Sequence, residues 1–479
     1  MTRRHETLKI TKLARRYDKK THKFTFNITY QTTTEITPRT TTVAQAFGLG
    51  IDQTHKFTLY DNTQLKIAPK DIVYITGDSG SGKSTLLKAI KKDLKKANEQ
   101  TTDTAETNIN PNKPIIDTLG KTFHQALELL SRVGLNDAFL FLRRYNELSD
   151  GQKHRYQLAK LIENGKQWWI TDEFCSTLDR DTAKIVAFNI QKTARRMGKT
   201  VLAATTHTDL LKDLKPSVHI HKSFGKEIQT TYHPNKLNRE CTLTQEMQIK
   251  EGTFNDYKKL SPFHYRTKRC PPPRKIFTLK RKDELCGVII YSYPPPITFG
   301  RNKAWKGNFQ QLQKEVSTIS RVIIHPKYRT IGLGIKLVKE TLPSAGTPYI
   351  ETLAVMAKYN PFFEKAGMQK TAESKPNKNV LNAIEKLRSL GFTPTMLGSV
   401  NYNMEKIREI GKEEITAILV ELSKKEGAVR KRLSSSSKAY PRHEGFMRKI
   451  SQFNEERLAK ALKKLSFLAQ TKVYLFWKR

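Results

Sequence analysis

The chain has 479 residues, with 86 Lys and Arg against 45 Asp and Glu, and carries a net charge of +41. At 37% apolar and 9% aromatic it can pack the cores of two or three domains, which excludes wholesale disorder. There is no apolar run of about 18 residues to span a bilayer, and no apolar stretch behind Arg3-Arg4 to act as a leader. The four cysteines (Cys175, Cys241, Cys270, Cys286) are scattered and form no CxxC, so neither a disulfide framework nor a zinc knuckle is expected, and a reducing, cytoplasmic setting is.

The excess charge is uneven. Residues 1–220 hold 36 basic and 23 acidic residues, net +13, whereas 221–479 hold 50 and 22, net +28. A surplus of this size points to a polyanionic partner such as DNA or RNA.

Along the chain, Phe24, Phe26, Ile28 and Tyr30 alternate at the period of a strand. The Thr-rich stretch that follows is also β-prone. Asp71-Ile-Val-Tyr-Ile-Thr76 reads as a compact buried strand ending in glycine, and Ser84 to Lys96 as a helix. The polar stretch 97–114, punctuated by Pro and Asn, reads as a surface loop; 121–133 and 152–163 have helical spacing. Trp168–Thr171 and Thr200–Thr205 read as buried strands. Strands alternating with helices predict an α/β domain with a largely parallel sheet over residues 1–225. Residues 226–250 read as a linker. A second α/β domain is expected over 251–370, with strands at Ile276–Lys280, Gly287–Tyr293, Ser317–Ile324 and Tyr349–Val355. Residues 371–479 form a basic helix-rich extension, interrupted by the polar run Ser434 to Ser437 and closed by a strand over 472–477.

The first chemical constellation lies between a strand and a helix. Gly77-Asp-Ser79-Gly80-Ser-Gly82-Lys83-Ser84-Thr85 fits GxxxxGK[ST]. Glycines let backbone N–H groups turn inward around phosphates, and the helix N-terminus adds a positive dipole end. Lys83 would reach the β- and γ-phosphates of ATP, and Ser84 would ligate Mg²⁺. Downstream, Leu148-Ser149-Asp150-Gly151-Gln152 opens a helix. Trp168-Trp-Ile-Thr-Asp172-Glu173 is an apolar strand ending in two acids, followed by Ser176-Thr-Leu-Asp179 and His207. Asp172 would hold the Mg²⁺ with its waters, and Glu173 would take the proton of the attacking water.

This ordered set resembles the ATP-binding cassette (ABC) ATPases. Leu148–Gln152 matches their LSGGQ signature with Asp150 in place of a glycine, and Asp179 and His207 match their D-loop and switch histidine. The resemblance covers residues 1–225. No glutamine between the phosphate loop and the signature stands out as the family's Q-loop, and only 65 residues separate Gly82 from Leu148. With no span, the chain resembles soluble members of the family more than its membrane-coupled ones. Phe47 or Tyr60 is the candidate for stacking on adenine. In this family the signature of one unit completes the ATP site of another, which implies a two-fold homodimer.

The second constellation is Arg329-Thr330-Ile331-Gly332-Leu333-Gly334, a glycine turn between a strand and an amphipathic helix. Its N–H groups suit a pyrophosphate. With His325-Pro326 upstream and Asn360-Pro-Phe-Phe-Glu-Lys-Ala-Gly367 downstream, the stretch resembles the acetyl-CoA loop and following element of GNAT-type N-acetyltransferases. The resemblance covers about 252–370 and implies an acetyl-CoA or related acyl-CoA cosubstrate. Where many GNAT enzymes carry a tyrosine general acid this chain has Phe363, with Tyr359 nearby. Near the start of this domain, Phe263-His264-Tyr265 leads into a stretch with eight basic residues and no acid between Ser261 and Lys282. Arg266, Lys268, Arg269, Arg274 and Lys275, interleaved with aromatic rings, suit phosphate contact and base stacking. The His-Tyr pair has a short similarity to phage Mom-type DNA-modification proteins, which would make His264 and Tyr265 catalytic or metal-binding.

The reading these parts make together is an α/β protein in which an ABC-type ATPase is joined to a GNAT-like acyltransferase that modifies a nucleic-acid base. Two alternatives stay open. One is a protein N-acetyltransferase with an ATPase regulatory module. The other is an ABC clamp on nucleic acid whose GNAT-like fold only binds.

Overall fold

The computed structural model describes residues 8–32, 35–50, 55–264, 270–354, 360–434 and 441–479. Three sheets run through the chain. The first is antiparallel and three-stranded, β1 (Leu8–Asp18), β2 (Lys23–Thr32) and β3 (His55–Lys66), in that order. Phe24, Phe26 and Ile28 of β2 are fully buried, as the alternation predicted, and face a core shared with Leu65, Val73, Ile75, Leu86 and Ile90.

The second sheet is built from β4 (Ile72–Gly77), β5 (Thr101–Asp103), β6 (Trp168–Thr171), β7 (Thr200–Ala204), β8 (Val218–Lys222) and β9 (Ile228–Tyr232), in the order β5-β6-β7-β4-β8-β9. Its first five strands in that order are parallel, and β9 runs antiparallel to β8. β4 sits between β7 and β8 and is buried along its whole length, the reason it reads as an unbroken apolar run. The helices Phe123–Arg132, Asp150–Asn164 and Arg180–Met197 cover one face through Leu130, Tyr156, Leu161, Val186 and Ile190.

Three expectations are corrected in this part. The Thr-rich stretch leads into a helix, Pro38–Phe47, because Thr37 and Thr40 form a reciprocal cap and Pro38 presets the first turn. The loop expected over 97–114 contains β5, whose Thr101 and Thr102 are buried at the edge of the sheet. The linker expected over 226–250 contains β9 and then binds back to the ATPase-like core through polar side chains. Asn235 donates to the Lys70 carbonyl at 2.9 Å, Asn238 donates to that of Lys212 at 3.0 Å, and Thr242 donates twice to the buried Asp213 carboxylate.

The third sheet has seven strands: β10 (Met247–Glu251), β11 (Pro273–Arg281), β12 (Glu284–Ser292), β13 (Val316–Ile324), β14 (Tyr349–Ala354), β15 (Gln369–Ser374) and β16 (Lys472–Lys478). Their order is β10-β11-β12-β13-β14-β16-β15. β13 and β14 are parallel, and β16 lies antiparallel between β14 and β15. Val355, expected to end β14, lies outside the described residues.

The chain divides into two compact units. One comprises 1–269, 276–289 and 322–337; the other comprises 270–275, 290–321 and 338–479. In the second unit the basic extension has a core of its own. Leu387, Ile407, Ile415, Leu419, Leu458 and Leu465 pack together from four helices between Lys378 and Leu468, and the buried Asn403 side chain ties its helix to its neighbours by donating to the carbonyls of Leu397 and Ala459. The run Ser435–Ser437 lies outside the described residues.

Candidate functional site

The phosphate-loop glycines take backbone conformations that side chains resist. Gly77, Gly80 and Gly82 have φ of +142°, +78° and +103°. A Cβ at Gly77 would lie 2.0 Å from the Lys222 carbonyl oxygen, and one at Gly82 would lie 2.7 Å from the Leu59 side chain. Gly82 caps the helix Lys83–Lys96, so the loop delivers its chain straight into a helix N-terminus. Lys83 bends back over the loop and donates to the carbonyl of Gly77 at 2.9 Å and to that of Asp78. Burial pulls its pKa below the usual lysine range, opposed by the carboxylates of Asp172 and Asp78. The Ser81 hydroxyl is buried and meets no hydrogen-bond partner among the described residues. A desolvated ammonium, inward glycines and a buried polar atom without a partner fit an anionic ligand. The oxygen donors Ser84 and Asp172 are of the type that suits Mg²⁺.

Tyr60 is removed from the candidates for adenine stacking. It is fully buried and its hydroxyl donates to the Gly82 carbonyl at 3.0 Å. Phe47 is 76% exposed at the end of its helix.

The acidic pair follows β6. Glu173 has φ +49° and Cys175 +59°, and the turn is held by its surroundings. The Glu173 N–H donates to Asp172 at 3.0 Å, Phe174 N–H to the Ala204 carbonyl at 2.7 Å, and the Ser176 hydroxyl to the Glu173 carbonyl at 2.9 Å. Cys175 N–H donates to Nε2 of His154 at 3.2 Å. Burial lowers the pKa of His154 to about 4, so its ring is neutral at pH 7 and available as an acceptor. Nothing in the sequence marks His154: it lies two residues beyond the signature and touches the acidic turn only in three dimensions.

The signature opens the helix Asp150–Asn164, with Gln152 accepting from the Ser149 N–H at 3.1 Å. Leu148 is buried; Asp150 is exposed. Gly151 backs onto the D-loop, where a Cβ would come within 2.9 Å of Leu178. No hydrogen bond or ion pair among the described residues joins Leu148–Gln152 to the phosphate loop of the same chain. Asp179 caps the helix Arg180–Met197. The next residue, Arg180, forms a two-point ion pair with Asp209, which stands two residues beyond His207. The His207 carbonyl accepts from Tyr74 and its N–H donates to Thr205. Arg180 and Asp209 thus tie the D-loop to the switch segment, a link sequence spacing did not reveal.

The second glycine turn is packed against the helix Arg180–Met197 in the same unit. Lys327 lies 2.7 Å from Asp181 and 3.7 Å from Asp179. Arg281 lies 2.9 Å from Asp181 and 2.6 Å from Glu246, and Tyr328 donates to Glu284 at 2.6 Å. Desolvation pushes the pKa of Asp181 up, but hydrogen bonds and charge from Lys327 and Arg281 bring it below the usual aspartate range. Arg329 donates to the carbonyls of Ile324 and Asn136 at 3.0 and 2.7 Å. Thr330, at φ +76°, accepts from Asn189 at 2.8 Å. The side chains of Arg329 and Thr330, expected at a pyrophosphate, are therefore engaged with protein. Ile331 and Leu333 are buried. Gly332 (φ +90°) has open space where a Cβ would lie, so the turn fits an anion through backbone alone.

The basic stretch is changed most. Tyr265, Arg266, Lys268 and Arg269 lie outside the described residues. Arg274 stacks 4.5 Å over the Tyr293 ring and donates to the Gln313 carbonyl; Lys275 donates to the Ser344 carbonyl at 3.1 Å. Both side chains serve packing rather than an open phosphate surface. His264 ends a short turn, with its N–H on the Ser261 carbonyl, next to Phe263, whose ring meets His325 edge-on at 4.8 Å. Asn360 is exposed and Phe363 buried; Tyr359 lies outside the described residues. Among the described residues no group of three His, Cys, Asp or Glu could hold a metal, and no helix is long and apolar enough to cross a membrane.

A phosphate loop on a parallel sheet, an acidic pair at the end of β6 two strands away and a capped signature helix define a nucleotide-binding α/β cassette. Residues 60–113 match the family described as "ABC transporter". The chain is 31% identical over 170 residues to the cytochrome c biogenesis ATP-binding export protein CcmA of Bartonella henselae, covering 31% of this chain and 80% of that protein. It is 28% identical over 204 residues to the methionine import ATP-binding protein MetN 1 of Oenococcus oeni, covering 35% of this chain and 57% of that protein. A solved structure of the ATP-binding cassette MJ0796, a dimer in a post-hydrolysis state bound to ADP and Pi, matches with 20% identity and a TM-score of 0.32, over 37% of this chain and 92% of that one. The chain belongs to the ABC transporter family, with the ATPase domain in its N-terminal region.

Proposed function

We propose that this chain hydrolyses Mg²⁺-ATP in its N-terminal domain and couples that cycle to a GNAT-fold acyltransferase acting on a nucleic-acid base. For the ATPase, the carrying observation is the loop with buried Lys83 beside the acidic turn Asp172-Glu173. Water attacks the γ-phosphorus, Glu173 accepts its proton, and ADP and phosphate leave; Lys83 and the loop N–H groups hold the phosphates while charge moves to the leaving oxygen. Ser84 and Asp172 would hold Mg²⁺, which would supply charge neutralisation on the phosphate oxygens. The signature's separation from its own phosphate loop supports a homodimer with two composite sites. A Glu173→Gln variant, slow in hydrolysis, should dimerise with ATP in light scattering; an ATP-bound protein that stays monomeric would refute this.

For the second activity, the supporting observation is the strand order β10-β11-β12-β13-β14-β16-β15, whose β13 and β14 are a parallel pair and whose β13 runs into the glycine turn 329–334. That is the arrangement expected of a GNAT fold, in which acyl-CoA would be held by the backbone of 331–334. With Phe363 buried and lacking a hydroxyl, it supplies no general acid to the leaving thiolate. A nucleic acid as acceptor accounts for the net +28 of residues 221–479. Acetyl-CoA binding by calorimetry, abolished by Gly332→Trp, is expected; unchanged affinity in that variant removes the loop from the site.

The relatives' names favour a second reading, an ATP-binding protein serving an importer or exporter. Co-purification with an integral membrane partner, together with no stimulation of ATP turnover by RNA or DNA, would favour it over the first.

A further inference from the structure

Arg274, Lys275 and Arg281 are engaged with protein groups, but other cations of the chain line an open cavity. In the second unit a cavity of about 500 Å³ opens beside β14, with Lys375, Arg432 and Lys472 among its lining. Lys375 and Arg432 are exposed, and among the described residues no ion pair ties either to a carboxylate. Its apolar wall includes Ile297, Phe299 and Leu353, all exposed for such side chains, with Ile297 at 86%.

The cavity sits where two strands part. The parallel ladder of β13 and β14 ends at the pair Thr318–Glu351, and beyond it the Thr352 hydroxyl donates to the Ile319 carbonyl at 3.1 Å. Glu351 is fully buried at the cavity floor. Its carboxylate is neutralised by two hydrogen bonds from Arg301, at 2.9 and 2.6 Å, and takes two more from Tyr474 and Thr318, both at 2.8 Å. The one acid in the cavity is therefore matched, and the net field at its mouth is positive. The Arg301–Glu351 pair also fixes the loop 296–301 that carries the wall, since Arg301 donates to the Pro296 carbonyl and to Thr298.

A rim of cations over an aromatic and aliphatic wall is complementary to a ligand that is anionic at one end and flat and apolar at the other. We propose that this cavity takes a single nucleotide of a polynucleotide, with its base against Phe299, Ile297 and Leu353 and its phosphate at Lys375, Arg432 and Lys472. The base is unstacked from its neighbours to enter. An acidic peptide would match the cations but not the flat wall. The inference rests on the nucleic-acid reading given above and adds where the acceptor is held.

The test uses the full chain and a single-stranded 2-aminopurine oligonucleotide with an end label. Labelled-end anisotropy reads affinity and 2-aminopurine emission reads the environment of the base. Arg432→Glu and Lys375→Glu should each weaken binding by about tenfold at ~100 mM salt, and each should flatten the salt dependence by about one to two ions. Leu353→Trp fills the cavity and should abolish the emission change while altering affinity by less than about threefold. ATP turnover and the melting temperature report folding, and a charge reversal that disturbs them is replaced by Arg432→Gln, expected to weaken binding by about threefold. Pocket variants that bind like the parent with an intact emission change would overturn the proposal. So would polyglutamate competing as well as an oligonucleotide of equal charge. Failure of the parent to bind any oligonucleotide at ~50 mM salt defeats the underlying nucleic-acid reading itself.

Discussion

The two glycine turns, Gly77–Thr85 and Arg329–Gly334, each follow a strand and open a helix, yet their surroundings use them differently. At the first, three glycines hold positive φ, two of them against atoms that leave no room for a Cβ, and the one cation, Lys83, is bent over the loop and desolvated. At the second, Arg329 and Thr330 turn outward onto Asn136 and Asn189, and Lys327 joins Asp179 and Asp181 next to the D-loop. One turn holds a desolvated cation over inward glycines; the other has its polar side chains engaged with protein and leaves its backbone open at Gly332. A glycine-rich turn becomes a phosphate site through what its side chains are free to do, which the spacing alone does not fix.

Five substitutions test that contrast. The largest effect is expected at the acidic turn: Glu173→Gln should lower ATP turnover by about 10²–10⁴-fold with ATP still bound, read by phosphate release and filter binding. Turnover within a few-fold of the parent would remove Glu173 as the base. Next, Gly77→Ala should cost about 3 kcal/mol or more in urea unfolding, since its Cβ lands on the Lys222 carbonyl, whereas Gly332→Ala meets only left-handed strain of about 1 kcal/mol. Equal losses would erase the difference between the turns.

Asp181→Asn should cost about 2 kcal/mol at pH 7 by removing the partner of Lys327 and Arg281. Because the folded pKa of Asp181 lies below its unfolded value, its stabilisation is present above about pH 4 and is lost as pH falls through the folded value. The gap between parent and variant melting temperatures should therefore narrow from pH 7 toward pH 2; a constant gap contradicts the ion-pair account. The smallest effect is expected for Thr330→Gly, which loses a hydrogen bond worth about 1 kcal/mol and relieves a similar left-handed strain. The urea midpoint should barely move, and a large loss would give Thr330 a role beyond packing.

Much of the ATPase domain was legible because its motifs are local. β4, the helix after Lys83, the signature helix and β6 are continuous segments whose apolar pattern and caps sit in sequence. Three-residue β5 and the helix behind Thr37 were not, since one depends on sheet neighbours and the other on a cap that outweighs the β-propensity of threonine. In the site, Lys83, Asp172 and Glu173 announce themselves by spacing. His154, Arg180 and Asp209 act only across the fold. Within the basic stretch 261–282, charge counts in sequence do not reveal that Arg274 lies on a tyrosine ring and Arg281 between two acids. Lys375, Arg432 and Lys472, brought to one cavity from three segments, carry no such sequence mark.

We propose that ATP turnover in the N-terminal domain is coupled to base modification in the same chain. The most direct measurement is mass analysis of nucleosides digested from RNA and from DNA after incubation with the full chain, acetyl-CoA and Mg²⁺-ATP. The account predicts a nucleoside heavier by one acetyl group that is absent without ATP and absent with Lys83→Ala. An unmodified nucleoside pool under conditions in which the parent both hydrolyses ATP and binds the polynucleotide would contradict it.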